Sequence, residues 1–260
     1  MTARVLLRTA AVVLAAAAPA LVPPTWANLR EFGAWLARPI LLPLAWAAHD
    51  EAARAGEPAE AFARGQQVLQ LLPTWTDGHA VFAYRHVLDA TERGTSPDER
   101  ARSALRRLRT ALAWLEDARR SAGPREIELL QAMAFLPEAA AMQEPALETV
   151  LAPEGGSAAI ADRYLDAAER LRPSASIREQ RTFFLPRLAA GLLAAGDRPR
   201  AILVLDTAIA RAADVREHDL AAEWAARLDE VRRHLRGEHG VDLGAVRADP
   251  RMAPLLPFLR

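Results

Sequence analysis

Two stretches, "AARAGEPAEAFARGQQVLQLLP" from Ala52 and "LLAAGDRPRAILVLDTAIARA" from Leu192, share one grammar: an Ala- and Leu-rich helical pattern, Gly with an acidic residue, a Pro, and a second helical pattern. Gly ends the first helix in a conformation that a Cβ resists, Pro starts the second, and Ala at 61 and 201 lets the two approach closely. A helix pair of this kind cannot bury its apolar face alone and needs neighbours on which to stack. The feature limits the chain to helix pairs. From Glu31 onward apolar residues recur at helical spacing and no run alternates with period two, so no strand is expected.

The breaks are well marked. Ser96, Pro97 and Glu99 read as N-cap, first helical residue and capping-box partner. Gly123-Pro124 opens another helix, Pro145 a third, and Ser157 reads as the cap of a helix closed by Pro173. Helices are expected over about 35–55, 58–72, 76–92, 97–120, 124–136, 138–151, 157–171, 176–195, 199–213 and 216–236, with short loops that imply antiparallel neighbours.

Gly56 and Gly196 lie 140 residues apart, close to four periods of about 34 residues. Here the chain resembles the tetratricopeptide repeat family through Leu188, Ala189, Leu192, Gly196, Asp197, Ala201, Leu205 and Ala208. The match returns, more loosely, at Ala52, Gly56, Ala61, Val68 and Pro73, at Phe82 and Ala83, and at Leu165, Ala168 and Pro173. Gly65, where a large apolar residue is usual, and Pro137 and Pro186 depart from the pattern. The resemblance implies an all-α fold of antiparallel helix pairs stacked as a right-handed solenoid. A repeat domain would run over 31–240, with 241–260 as a tail capping the last apolar face. It further implies that the first helix of each pair lines a concave groove, which places Trp46, Asp50 and Arg54 on one helix and Asp77 and Tyr84 on the next as a peptide-binding set. The alternative for Trp46 and Tyr84 is burial in the core.

The N-terminus adds a location. Arg4 and Arg8 precede an uncharged run from Thr9 to Val22, and no acidic residue occurs before Glu31. That is the layout of a secretory signal, with small residues suited to cleavage at Ala20 and Ala27. The run is shorter than the ~18 residues of a spanning helix unless Val5 to Leu7 extend it, so residues 1–27 are read as a cleaved signal peptide or a membrane anchor acting through residues 5–22. Either exports the rest across a bacterial inner membrane to the periplasmic side. The order of exported N-terminus, "LARPILLPLAW" and Gly-turn repeat also resembles bacterial membrane-anchored proteins with such repeats. A second spanning segment over Phe32 to Ala48 is disfavoured by Arg38 in its middle and by Pro39 and Pro43, which should break it.

Charge and motifs narrow the function classes. With 33 basic residues, all Arg, against 33 acidic ones, no net charge favours nucleic acid. The absence of Cys removes disulfides and thiolate chemistry. No phosphate loop, His-Glu-x-x-His or Gly-x-Ser-x-Gly is present, so no catalytic, cofactor or metal residue is expected. His79 and His86 stand ~10.5 Å apart along a helix, too far to share one ion, and His234 and His239 straddle Gly237. Arg102, Arg106, Arg107, Arg109, Arg119 and Arg120 form the most basic stretch, expected to be solvated and paired with Asp98, Glu99, Glu116 and Asp117. The reading is an exported adaptor or scaffold that binds a protein or peptide and neither nucleic acid nor cofactor. Its alternatives are a helical hydrolase or lyase using His49, Asp50 and His86, and a self-associating envelope component.

Overall fold

The computed structural model describes residues 26–72, 75–89, 96–120, 122–212 and 218–259. The segment over 5–22, Pro73 and Ala213 lie outside them. The described residues are all helical, without strands, and the helices pack in pairs. The chain divides into two compact units, Met1–Trp75 and Thr76–Arg260. The boundary falls inside the stretch that the sequence assigns to one repeat domain.

Unit 1 is a hairpin of α1 (Trp26–Ala55) and α2 (Pro58–Leu71). Gly56, at φ +74°, makes the turn. Its N–H donates to Ala53 O (3.2 Å) and the Glu57 N–H to Ala52 O (3.1 Å), so two carbonyls at the end of α1 are satisfied in a Schellman pattern. At the crossing, buried His49 donates Nδ1–H to Ala61 O at 2.8 Å. At the far end Arg38 Nε donates to Leu71 O at 2.6 Å, placing a cation on an orphan carbonyl at a helix C-terminus. α1 runs through Pro39 and Pro43, as the helix expected over 35–55 does, and begins earlier, at Trp26. Both prolines are exposed, so their rings face outward and the contacts with α2 made by the opposite face are undisturbed.

Unit 2 contains α3 (Thr76–Leu88), α4 (Pro97–Arg119), α5 (Glu126–Gln143), the short α6 (Leu147–Leu151), α7 (Gly156–Leu171), α8 (Ala175–Ala194), α9 (Arg198–Arg211), α10 (His218–Leu235) and α11 (Leu243–Ala248), then 3-10 turns at Pro250–Met252 and Leu256–Phe258. The main contacts join sequence neighbours: α3 with α4 and α5, α5 with α7, and then α7 to α11 in chain order. The capping box of Ser96 and Glu99 forms as the sequence indicates. Gly196, at φ +79°, repeats the Gly56 turn, with Asp197 N–H donating to Leu192 O (2.9 Å) and Gly196 N–H to Leu193 O (3.0 Å).

Two local expectations are corrected. The expected helices 124–136 and 138–151 are instead one helix, α5, running through Pro137, followed by α6. Pro137 is buried in a row with Met133, Leu136 and Ala140, and packing along that row outweighs one missing backbone bond. Ser157 is not the cap of α7. Gly155 holds that position, and buried Ser157 turns inward to Glu138 Oε1 (3.0 Å) and to Glu148.

Side-chain ions bind the middle helices. Arg181 on α8 meets Asp162 (2.7 Å), Asp166 (2.5 Å) and Glu169 (3.1 Å) of α7, and Arg211 on α9 reaches the same Glu169 at 3.1 Å. After α10 the chain closes its own core. Val246, Met252, Leu255 and Leu259 are buried in one cluster with Leu205, Trp224, Leu228 and Val231.

Candidate functional site

Unit 2 holds a cleft of about 580 Å³. Its walls are Tyr84 of α3; Phe135, Glu138 and Met142 of α5; Phe183, Phe184 and Arg187 of α8; Trp224 of α10; and Arg251 with its neighbours in the C-terminal tail. Counting heads of pairs, α3 precedes α4, α5 precedes α6 and α7, α8 precedes α9, and α10 precedes the tail. The cleft takes its helical walls from those leading helices, and α4, α7 and α9 contribute no lining residue among those described.

Its floor is aromatic. The Phe135 and Phe184 rings lie 5.3 Å apart, and Phe183 lies 5.1 Å from Trp224, in tilted arrangements that suit ring quadrupoles. Trp224 and Phe184 are buried while Phe183 and Met142 are exposed, so the floor is anchored in the core and the rim is open. The helical phase explains this: Phe184, Leu185 and Ala189 point into the core, and Phe183 and Arg187 share the adjacent face.

Two ion pairs border the floor with one polarity. The Glu138 carboxylate accepts from Ser157 Oγ and from Arg187 Nη1, and the guanidinium carbon of Arg187 stands 5.8 Å from the Phe184 ring centroid. The Glu138 side chain is 11% exposed and that of Arg187 45%, so the carboxylate is inside and the cation outside. Arg251 grips Asp249 through Nε (2.8 Å) and Nη2 (2.6 Å) and comes within 3.7 Å of Glu223. The Arg251 hydrogen bonds hold the largely buried Asp249 carboxyl below its usual range, against the opposing effect of burial. At the α3 edge Tyr84 donates its hydroxyl to Ala132 O (3.3 Å), and burial pushes its phenol up to about 12.

The residues that the sequence marks for a groove are distributed as follows. In unit 1 Trp46 is half-buried, edge-on to His49 (5.7 Å) and 6.2 Å from Trp75, while Asp50 and Arg54 are exposed. In unit 2 Asp77 is exposed, and half-buried Tyr84 belongs to the cleft. Phe135, Glu138, Phe183, Arg187, Trp224 and Arg251 were not anticipated. They come from segments roughly 25 to 50 residues apart, a distance that period and capping do not bridge, although each aromatic sits on the leading helix of a pair.

The remaining candidates take structural places. His49 is the buried crossing contact of unit 1, and Asp50 beside it is exposed. His79 stacks against Trp114 at 4.8 Å, where burial lowers its pKa, and His86 is buried on α3. Among the described residues no three His, Asp or Glu side chains gather as a metal-binding set. In the arginine stretch, Arg120 pairs with Asp117 (3.1 Å) and Arg119 with Glu116, as the spacing suggests. Arg119 also reaches Glu126, and Arg109 reaches Glu154 (2.7 Å), across chain separations that the sequence does not reveal. No described helix is long and apolar enough to cross a membrane. No family model, curated protein or solved structure matches the chain.

Proposed function

We propose that the chain is an exported protein-interaction adaptor, held at the periplasmic face of a bacterial inner membrane or released there by cleavage of residues 1–27, and built as a tetratricopeptide-like solenoid. Its partner is an extended protein segment carrying apolar side chains, bound in the unit 2 cleft. Catalysis, a cofactor and nucleic acid have no part in this reading.

The supporting observation is that the leading helices of successive pairs, α3, α5, α8 and α10, line the cleft with aromatics. Stacked pairs produce such a surface because each contributes its first helix to the concave side. An aromatic floor beside outward-facing arginines is the composition of a binding hot spot. The equal Gly turns at 56 and 196 support a repeat origin.

The test compares capture from native membranes by the wild-type chain and by a Phe183→Ala, Met142→Ala double variant. Both side chains are exposed, so melting should change little. Loss of aromatic contact at a hot spot costs about 2 kcal/mol, so recovery of the co-purifying protein should fall by more than about tenfold. Undiminished recovery places the binding site elsewhere. Active cytoplasmic-reporter fusions after Arg260, with an inactive phosphatase fusion at the same point, would overturn export.

A further inference from the structure

We infer that the outer face of α1 is a lipid-docking surface that lies along a membrane. It is independent of the cleft in unit 2. Leu36, Ile40 and Leu44 fall at i, i+4 and i+8, flanked by Trp35 and Leu41, and these five side chains are 46 to 70% exposed. Gly33, Pro39, Pro43 and Ala47 complete the same exposed side, which carries no charge until Asp50, Glu51 and Arg54. The one charged side chain between Phe32 and Ala48 is Arg38, and it is turned to Leu71 O. A solvated helix places its charges on the outer face; over residues 32–48 this helix inverts that rule. Large exposed apolar residues in unit 2, such as Val81 and Leu203, fall on separate helices, whereas five crowd one face of α1.

Chain continuity selects lipid over a second protein copy. The uncharged run from Thr9 to Val22 ends four residues before α1 begins, so the apolar character of the chain passes directly into this face. A groove of about 360 Å³ between α1 and α2 has the matching profile. One wall is Leu41, Leu44 and Ala48; the other is Gln67, Gln70 and Arg64, which is paired with Glu60 at 2.8 Å, an apolar slot beside a polar edge.

The prolines define the depth. Pro39 and Pro43 have no N–H to give the carbonyls of Trp35 and Pro39 one turn back, and an unpaired carbonyl in hydrocarbon costs several kcal/mol. Water and headgroup donors satisfy them at the interface. The stacked Phe32 and Trp35 rings, 6.1 Å apart near the start of the face, suit that same depth. The helix therefore lies on the bilayer by its side.

The chain has no cysteine, so Ile40→Cys supplies one labelling site for an environment-sensitive fluorophore in the full-length protein. Leu44→Cys gives a second reporter one turn on, and Leu203→Cys on α9 is the control. With vesicles of phosphatidylethanolamine and phosphatidylglycerol containing a headgroup-depth nitroxide lipid, both α1 labels should shift to the blue and lose about half their intensity, while the Leu203 label stays unchanged. Unshifted α1 labels overturn the inference, as does failure of the protein to bind these vesicles. So does a blue shift that appears without vesicles together with a doubled mass by light scattering, because a second copy then covers the face. A label at Ala15→Cys reads the anchor assignment separately, so loss of one does not imply loss of the other.

Discussion

The hairpins α1–α2 and α8–α9 are built on one turn and diverge in their surroundings. Both glycines take φ near +75 to +80°, both following acidic residues donate back across the turn, and both second helices begin within three residues. In unit 2 the hairpin is bounded within its own unit. Glu169 of α7 binds it through Arg181 and Arg211, and α10 packs on α9, with Ala201, Leu205 and Ala208 fully buried. In unit 1 the crossing is filled by His49 against Ala61 O, and the exposed side of α1 is an apolar strip. Local grammar specifies the turn. The residues between the turns decide whether a hairpin becomes core or surface.

The strongest test of that contrast is aromatic truncation. Trp224 is fully buried in the unit 2 core, so Trp224→Ala should cost about 3 to 5 kcal/mol. Trp46, half-buried, should cost about 1 to 2 kcal/mol when cut to Ala. Denaturant melts of both variants check the order, and a Trp46 loss equal to that of Trp224 would erase the difference between the units.

Next in size is the crossing. Ala201→Leu places three extra carbons where the residue is wholly buried between α8 and α9, and should cost about 1 to 3 kcal/mol. An unchanged melting curve would mean that this helix approach is not close. The turns themselves predict parity. Gly56→Ala and Gly196→Ala each force a side chain into a left-handed conformation with nothing within 4 Å to clash, so each should lose about 1 kcal/mol for backbone reasons alone. Unequal losses in thermal melts would break the likeness on which the repeat reading rests.

What was legible in the sequence was local. The Ser96 capping box, the Gly56 and Gly196 turns and the absence of strands depend on residues a few positions apart. The continuity of α5 through Pro137 was not, because a Pro ends a helix unless packing holds the rod together, and that condition is not local. Ser157 fits a capping pattern yet faces Glu138, whose other partner is Arg187, 49 residues further along. The cleft was hidden for the same reason. Of the five residues marked for a groove, Tyr84 lies in it, while Phe135, Phe183 and Trp224 are brought together by stacking.

The smallest expected effect separates the units spectroscopically. The chain has two tyrosines, Tyr84 and Tyr164, and both belong to unit 2, so tyrosinate absorbance reports that unit alone. Burial raises both phenols, Tyr84 to about 12, and the Glu116 charge adds to the rise at Tyr164. Below pH 10 the phenols are neutral in folded and unfolded chains alike, and their contribution to stability is fully present. As pH climbs from 10 toward 12 the unfolded chain ionises first, the folded chain retains its protons, and stability falls. At about pH 11, then, Tyr84 should be largely protonated in the folded protein, and denaturant should release its tyrosinate absorbance. Tyr84→Phe should remove part of that alkaline loss. Below pH 10 it should cost less than about 1 kcal/mol, since it deletes one 3.3 Å hydrogen bond to Ala132 O and leaves the ring in place. Tyrosinate appearing near pH 10 while the helical circular dichroism is intact would show the α3 edge of the cleft to be solvated, leaving the contrast with unit 1 to rest on Trp224 and Phe184.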